Sequence, residues 1–131
     1  MGEPSRILLA EDNSLDVEIT MEGLAAYHLA NEIDVVSDGE EAMDYLLCRG
    51  RYASRAPRNP MLVLLDLKMP KVDGLELLAA MKRHERLRHI PVIVLTSSTE
   101  QHDVLRSRNL GINSYITKPV DFHSLIEAIK V

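Results

Sequence analysis

The sequence predicts an α/β domain: a doubly wound, five-stranded parallel sheet in the order 2-1-3-4-5 with helices on both faces. Three observations lead there. Residues 61–65 (MLVLL) and 90–95 (IPVIVL) are apolar without alternation, as expected of strands covered on both faces. Strand-like and helix-like segments then alternate along the whole chain, which is the pattern of parallel strands joined by crossover helices. Those crossovers must be right-handed, which leaves few topologies, and 2-1-3-4-5 is the usual order for five strands.

The elements follow in order. Strand 1, Arg6 to Ala10, ends in Glu11-Asp12-Asn13. Asn13 or Ser14 can cap helix 1, and Asp16 and Glu18 suit its positive end. That helix runs to about His28, with Val17, Met21 and Leu24 as its apolar stripe. Strand 2 is Glu32 to Val36, closed by the turn Ser37-Asp38-Gly39. Helix 2 begins near Glu40 and faces the core with Ala42, Met43, Leu46 and Leu47. Residues 49–60 (RGRYASRAPRNP) are basic, hold two prolines and have no usable period. They predict an inserted loop, long for a helix-to-strand connection, that is either a contact surface or a tolerated insertion.

Strand 3 ends at Asp66, and helix 3 starts near Asp73-Gly74 with Leu77, Leu78 and Met81 turned inward. Asp73 reads as a turn and helix-start residue. Strand 4 ends in Thr96-Ser97, with Ser97 read as a cap. Helix 4, about Thr99 to Leu110, has Ser98 and Gln101 spaced as a capping box and Gly111 as its stop. Strand 5, Ser114 to Thr117, ends at Lys118-Pro119. Phe122, Leu125, Ile126 and Ile129 give helix 5 a clean apolar face.

The bulk properties exclude several classes. A chain of 131 residues supports one buried core and not two, so a single domain spanning 1–131 is expected. Its net charge of −5 is spread along the chain, which argues against a nucleic-acid groove. The single cysteine, Cys48, excludes an internal disulfide, fits a reducing compartment and reads as a buried, inert thiol. No apolar run approaches a membrane span and the amino terminus lacks a signal-peptide pattern, so a cytoplasmic protein with no membrane partner is expected.

In open parallel sheets chemistry collects at the carboxyl ends of the strands. Strand 1 delivers Glu11 and Asp12 there, strand 3 delivers Asp66, strand 4 delivers Thr96 and Ser97, and strand 5 delivers Lys118. With strands 1 and 3 adjacent, three carboxylates face one another at the topological switch point. Like charges so close raise one another's pKa unless a cation sits among them. A few hard oxygen ligands with room for water suit Mg²⁺. A hydroxyl and an ammonium beyond them suit phosphoryl oxygens. The constellation points to phosphoryl chemistry with Asp66 as nucleophile, giving an acyl phosphate, with Lys118 and Thr96 offsetting charge.

On these residues the chain resembles the response-regulator receiver domain of two-component signalling, over residues 5–131. The resemblance rests on Glu11-Asp12, the stretch DLKMPKVDG from Asp66 to Gly74, Thr96, Tyr115 and Lys118-Pro119. Asp66 and Thr96 stand 30 positions apart and Thr96 and Lys118 stand 22 apart, as in that family. The flavodoxin-like strand order is one the family shares. The resemblance implies that Asp66 accepts a phosphoryl group from a partner histidine kinase. It implies Mg²⁺ bound by Asp12, Asp66 and the backbone carbonyl of Lys68, with Glu11 acting through water. It makes Thr96 and Tyr115 a switch pair that re-shapes the surface of helix 4, strand 5 and helix 5, and it makes Lys118-Pro119 a cis bond. Lys68 and Ser98 occupy positions that tune hydrolysis of the acyl phosphate. Dimerisation through helix 4, strand 5 and helix 5 is a hypothesis the family suggests.

The insertion, the Glu-Asp-Asn opening and the Ser-Asp-Gly-Glu-Glu-Ala turn look like single-domain regulators serving phytochrome-type sensor kinases. Residues 1–131 hold no output domain, so the chain is expected either to signal by contact alone or to be part of a longer protein. It is expected to be no enzyme beyond its own phosphorylation and dephosphorylation. A haloacid-dehalogenase-type phosphatase would need a second acid where Lys68 stands, and a flavodoxin-like FMN binder would need a phosphate loop where Glu11-Asp12 stand. An inactive receiver used for binding would not need the intact set of acids, Thr96 and Lys118.

Overall fold

Apolar runs that look featureless in the sequence divide between two cores, one on each face of the sheet. In β1 (Ile7–Ala10), Ile7 and Leu9 join one core while Leu8 and Ala10 join the other. In β3 (Leu62–Asp66), Leu62 and Leu64 oppose Val63 and Leu65 in the same way, and in β4 (Val92–Thr96) Ile93 and Leu95 oppose Val92 and Val94. Successive strand residues point to opposite faces, so apolar residues at every position mean that both faces are covered. The computed structural model describes residues 7–25, 33–56, 58–69, 73–96 and 114–118, with His123 and Glu127.

The strands pair in parallel in the order β2-β1-β3-β4-β5, where β2 is Ile33–Val36 and β5 is Ser114–Thr117. This is the predicted doubly wound sheet. On one face α1 (Ser14–Ala25) contributes Leu24 to the core. On the other, α2 (Gly39–Leu46) and α3 (Gly74–Arg83) contribute Ala42, Leu46, Leu77, Leu78 and Met81. Each helix starts where a side-chain oxygen accepts an otherwise orphaned N–H. Asn13 accepts from Asp16 at 3.0 Å, Asp38 from Glu41 at 2.7 Å and Asp73 from Glu76 at 2.9 Å. Among the described residues no helix is long and apolar enough to cross a membrane.

Two expectations are corrected. In α1 the buried residues are Thr20, Gly23 and Leu24, whereas Met21 is only half-buried. Leu24 is buried and Val17 packs against the same core, as predicted, while small Thr20 and Gly23 fill the inward positions beside them. Cys48 is half-exposed with φ 55°. It takes the left-handed conformation that follows a helix end, and its thiol donates to Ala56 O at 3.7 Å. The described residues of the 49–60 segment form a loop between α2 and β3. They include a short 3-10 turn, Gly50–Tyr52, stapled to α2 by side chains. Arg55 donates twice to Tyr45 O, at 2.9 and 2.6 Å, and lies 4.1 Å over the Tyr45 ring. These bonds add to the one that Tyr45 O accepts from the Cys48 N–H at 3.3 Å, and the guanidinium covers the ring face. Arg49 pairs with Asp44 at 2.8 Å, and Arg51 and Tyr52 both reach Glu41, at 2.7 and 2.9 Å. Tyr45 packs edge-on against Tyr52 and donates its hydroxyl to Asp34 on β2.

His123 and Glu127 are helical and exposed. The other residues of that helix, helix 4, Ser97, Ser98, Gly111, the Lys118-Pro119 bond and the end of helix 1 at His28 lie outside the described residues.

Candidate functional site

Strand register brings the predicted residues to one edge. Leu65 pairs with Ala10, so Asp66 and Glu11 each stand one residue beyond on neighbouring strands. Asp66 pairs with Leu95 and Thr96 pairs with Thr117, so Thr96 and Lys118 again stand one residue beyond. The Glu11 N–H donates to Val36 O at 2.9 Å, which extends the ladder toward β2.

Lys118 is the centre of the charge cluster. Its Nζ lies 2.8 Å from Asp16 Oδ2, 2.9 Å from Glu11 Oε2 and 3.3 Å from Asp66 Oδ1. Burial alone would lower the Lys118 ammonium. Its contacts with Asp16 and Glu11, together with the Asp66 charge, instead hold it above the ordinary lysine range. Glu11 is fully buried, and its Oε1 accepts from the Asn13 N–H at 3.1 Å. Burial, reinforced by the neighbouring Asp66 charge and opposed by Lys118, pushes the Glu11 carboxyl up from 4.5 to about 7.

Glu11, Asp12 and Asp66 each offer one carboxylate oxygen to a group whose members lie within 4.8 Å of one another. The donor set fits a divalent Mg²⁺ or Mn²⁺. It consists of hard oxygens, few in number, and one comes from exposed Asp12, which leaves room for retained water. Thr96 is buried, and its hydroxyl donates to Ile116 O at 3.3 Å, while the Lys118 N–H donates to Thr96 O at 2.6 Å. Tyr115 is half-buried against the α2/α3 core. Lys68 is exposed between buried Leu67 and Met69, so its side chain faces solvent beside the site. The loop that sets Asp66 is closed by Gly74, whose N–H donates to Leu67 O at 2.9 Å. A Cβ on Gly74 would sit 2.5 Å from Asp66 O and 2.6 Å from Leu67 Cα, closer than atoms can pack.

Asp16 is the residue that the sequence reading placed elsewhere. It was assigned to the helix dipole, yet it makes the shortest contact to Lys118. The signal was present, because the helix after the first strand of such a sheet starts at the carboxyl edge. An acid in its first turn therefore shares that edge with the strand-end acids.

An aspartate beside a lysine at the switch point of a 2-1-3-4-5 sheet, with clustered acids where a nucleotide binder has a phosphate loop, defines a phosphate-handling α/β signalling domain. Residues 7–130 match the response regulator receiver domain, and the chain belongs to that family. It is 42% identical over 131 residues to the "Probable methanogenesis regulatory protein FilR2" of Methanothrix harundinacea (strain 6Ac), covering 98% of this chain and 83% of that one. Among solved structures, the bacteriophytochrome response regulator AtBRR is 50% identical with TM-score 0.92, covering 98% of this chain and 92% of its own. The phosphorylated cyanobacterial phytochrome response regulator RcpA is 41% identical with TM-score 0.80, covering 98% and 90%. The Mn²⁺-bound form of response regulator Rcp1 is 37% identical with TM-score 0.77, covering 97% and 90%. Receiver domains are phosphorylated by partner kinases and bind Mg²⁺ or Mn²⁺ in an acidic pocket.

Proposed function

We propose that this chain is a phosphorylation-activated, cytoplasmic response regulator that accepts a phosphoryl group on Asp66 from a sensor histidine kinase. The observation that supports it best is the placement of Asp66. It is a nearly buried carboxylate at the end of β3, 3.3 Å from Lys118 and grouped with oxygens of Glu11 and Asp12. An Asp66 oxygen attacks the phosphorus of a phosphohistidine, and the new O–P bond forms as the N–P bond breaks. The histidine leaves with its nitrogen pair and regains a proton. A divalent cation, held by Glu11, Asp12, Asp66 and the Lys68 carbonyl, supplies charge neutralisation for the phosphoryl oxygens when bound. Lys118 offsets charge from the opposite side, and Thr96 donates a hydrogen bond to the transferred group.

In this reading Thr96 leaves Ile116 O for the phosphoryl group, and Tyr115 moves into the space released. The face made by helix 4, β5 and helix 5 then changes, for contact with a target or a second copy. Lys68 and Ser98 tune hydrolysis of the acyl phosphate. The likeness to AtBRR and RcpA supports a kinase of the phytochrome type as partner. An exposed lysine at position 68, where a phosphatase needs an acid, counts against turnover of phosphate esters.

The test is intact-mass labelling with acetyl phosphate and Mg²⁺. One phosphoryl group is expected, and none with Asp66→Asn. Labelling that survives Asp66→Asn overturns the assignment, and steady hydrolysis of a generic phosphate ester replaces it with a phosphatase. In the same protein, beryllofluoride is expected to shift amide signals from helix 4 to helix 5, and unchanged spectra at saturation refute the switch.

A further inference from the structure

One ammonium faces three carboxylates at the top of β5, and its contacts are unequal. Asp16 and Glu11 stand at 2.8 and 2.9 Å, while Asp66 stands at 3.3 Å. Asp16 is held there by the packing of α1. It lies one turn before Thr20 on the face that also buries Gly23 and Leu24. Both partners are mostly shielded, with side chains 21% and 15% exposed, so solvent weakens their attraction less than at a surface pair. The three acids whose oxygens converge as a metal-binding group are Glu11, Asp12 and Asp66. Asp16 instead contacts the lysine.

We propose that Asp16 is a positioning residue that holds the Lys118 ammonium back from Asp66 at rest, so that phosphoryl transfer draws the lysine off Asp16. The inference rests on the reading of Asp66 as the acceptor. The ammonium already donates to Asp16 and lies within ion-pair distance of Glu11 and Asp66. An arriving phosphoryl oxygen therefore competes with Asp16 for a donor. With Asp16 in place, acceptance is slower than the remaining residues allow, and the domain resists small phosphate donors.

The test compares labelling rates with acetyl phosphate at saturating Mg²⁺ and donor. Asp16→Asn keeps the shape and removes the charge, and is expected to raise the rate constant about five-fold, about 1 kcal/mol off the barrier. Asp16→Glu returns the rate toward wild type. In a Lys118→Met background Asp16→Asn has no effect, because the restraint acts through the ammonium. Where that background labels too slowly, beryllofluoride affinity is the readout of the same cycle. An Asp16 that only stabilises the helix start would change thermal stability and leave the saturated rate alone. Unchanged or slower labelling of Asp16→Asn, or a gain that persists without Lys118, overturns the inference. Failure of wild type to label overturns the reading of Asp66 instead. Asp16→Ser, which keeps a polar group in the first helical turn, is the second variant should Asp16→Asn not fold.

Discussion

The carboxyl edge of the sheet and the inserted segment after α2 are both built from charged side chains, but they are balanced differently. In the insertion, Arg49 and Arg51 each meet an acid while remaining 57% and 70% exposed, and Arg55 donates to a helix-end carbonyl. At the edge, three carboxylates share the Lys118 ammonium, 15% exposed, and Asp12 adds a further acid. Paired exposed charges contribute little beyond anchoring a segment. Crowded buried charges of one sign are costly, and the fold tolerates them where a ligand completes the balance. Charge density alone therefore does not mark a site. Uncompensated charge that is shielded from water does.

Four substitutions can break or sharpen this contrast. The largest effect is expected from Gly74→Ala, which forces a Cβ into the Asp66 and Leu67 backbone and should cost about 1–3 kcal/mol by overpacking. Urea denaturation measures it, and loss of labelling in the folded fraction would show that the acceptor had been displaced.

Next is the pH dependence of the metal-free protein. Between 4.5 and about 7, folded Glu11 keeps a proton that the unfolded chain has released. The unfolded state binds fewer protons there, so this group's contribution to stability falls as pH rises through that window. Glu11→Gln with a chelator present should therefore raise the melting temperature relative to wild type at about pH 8 and leave it nearly unchanged at about pH 4. An equal shift at both values would contradict the crowding of the edge.

The smallest effects belong to the insertion. Arg55→Ala should cost about 1–2 kcal/mol, from the lost charged hydrogen bonds to Tyr45 O and the lost ring contact. Arg51→Ala should cost less than about 1 kcal/mol. Neither should alter labelling by acetyl phosphate, and a change with Arg51→Ala would make the insertion part of the site.

Much of this was legible because it is local or strictly periodic. β3 and β4 were visible as two-sided apolar runs, and Asp73 as a helix start, since each depends on a few adjacent residues. The convergence of Glu11, Asp12 and Asp66 followed from strand ends and strand order. What escaped depends on contacts across the chain. Asp16 and Lys118 are 102 positions apart, and Asn59 reaches Arg86 O across 27. Tyr45 was passed over on α2 because its value lies in a ring packed on Tyr52 and a hydroxyl on Asp34, neither of which has a helical period. In α1 the inward face is made partly of Thr20 and Gly23, which a search for bulky apolar residues misses.

The absence of a side chain at Gly74 has a mechanical consequence. With backbone resting on backbone, the start of α3 and the peptide that bears Asp66 have no soft layer between them and must move as one body. A disturbance at the acceptor therefore cannot dissipate by tilting α3. On the other flank the same peptide meets β4 and β5 through the sheet ladder, with the Thr96 hydroxyl donating to Ile116 O at 3.3 Å, so its neighbours there are hydrogen-bonded strands and not a helix start seated on bare backbone.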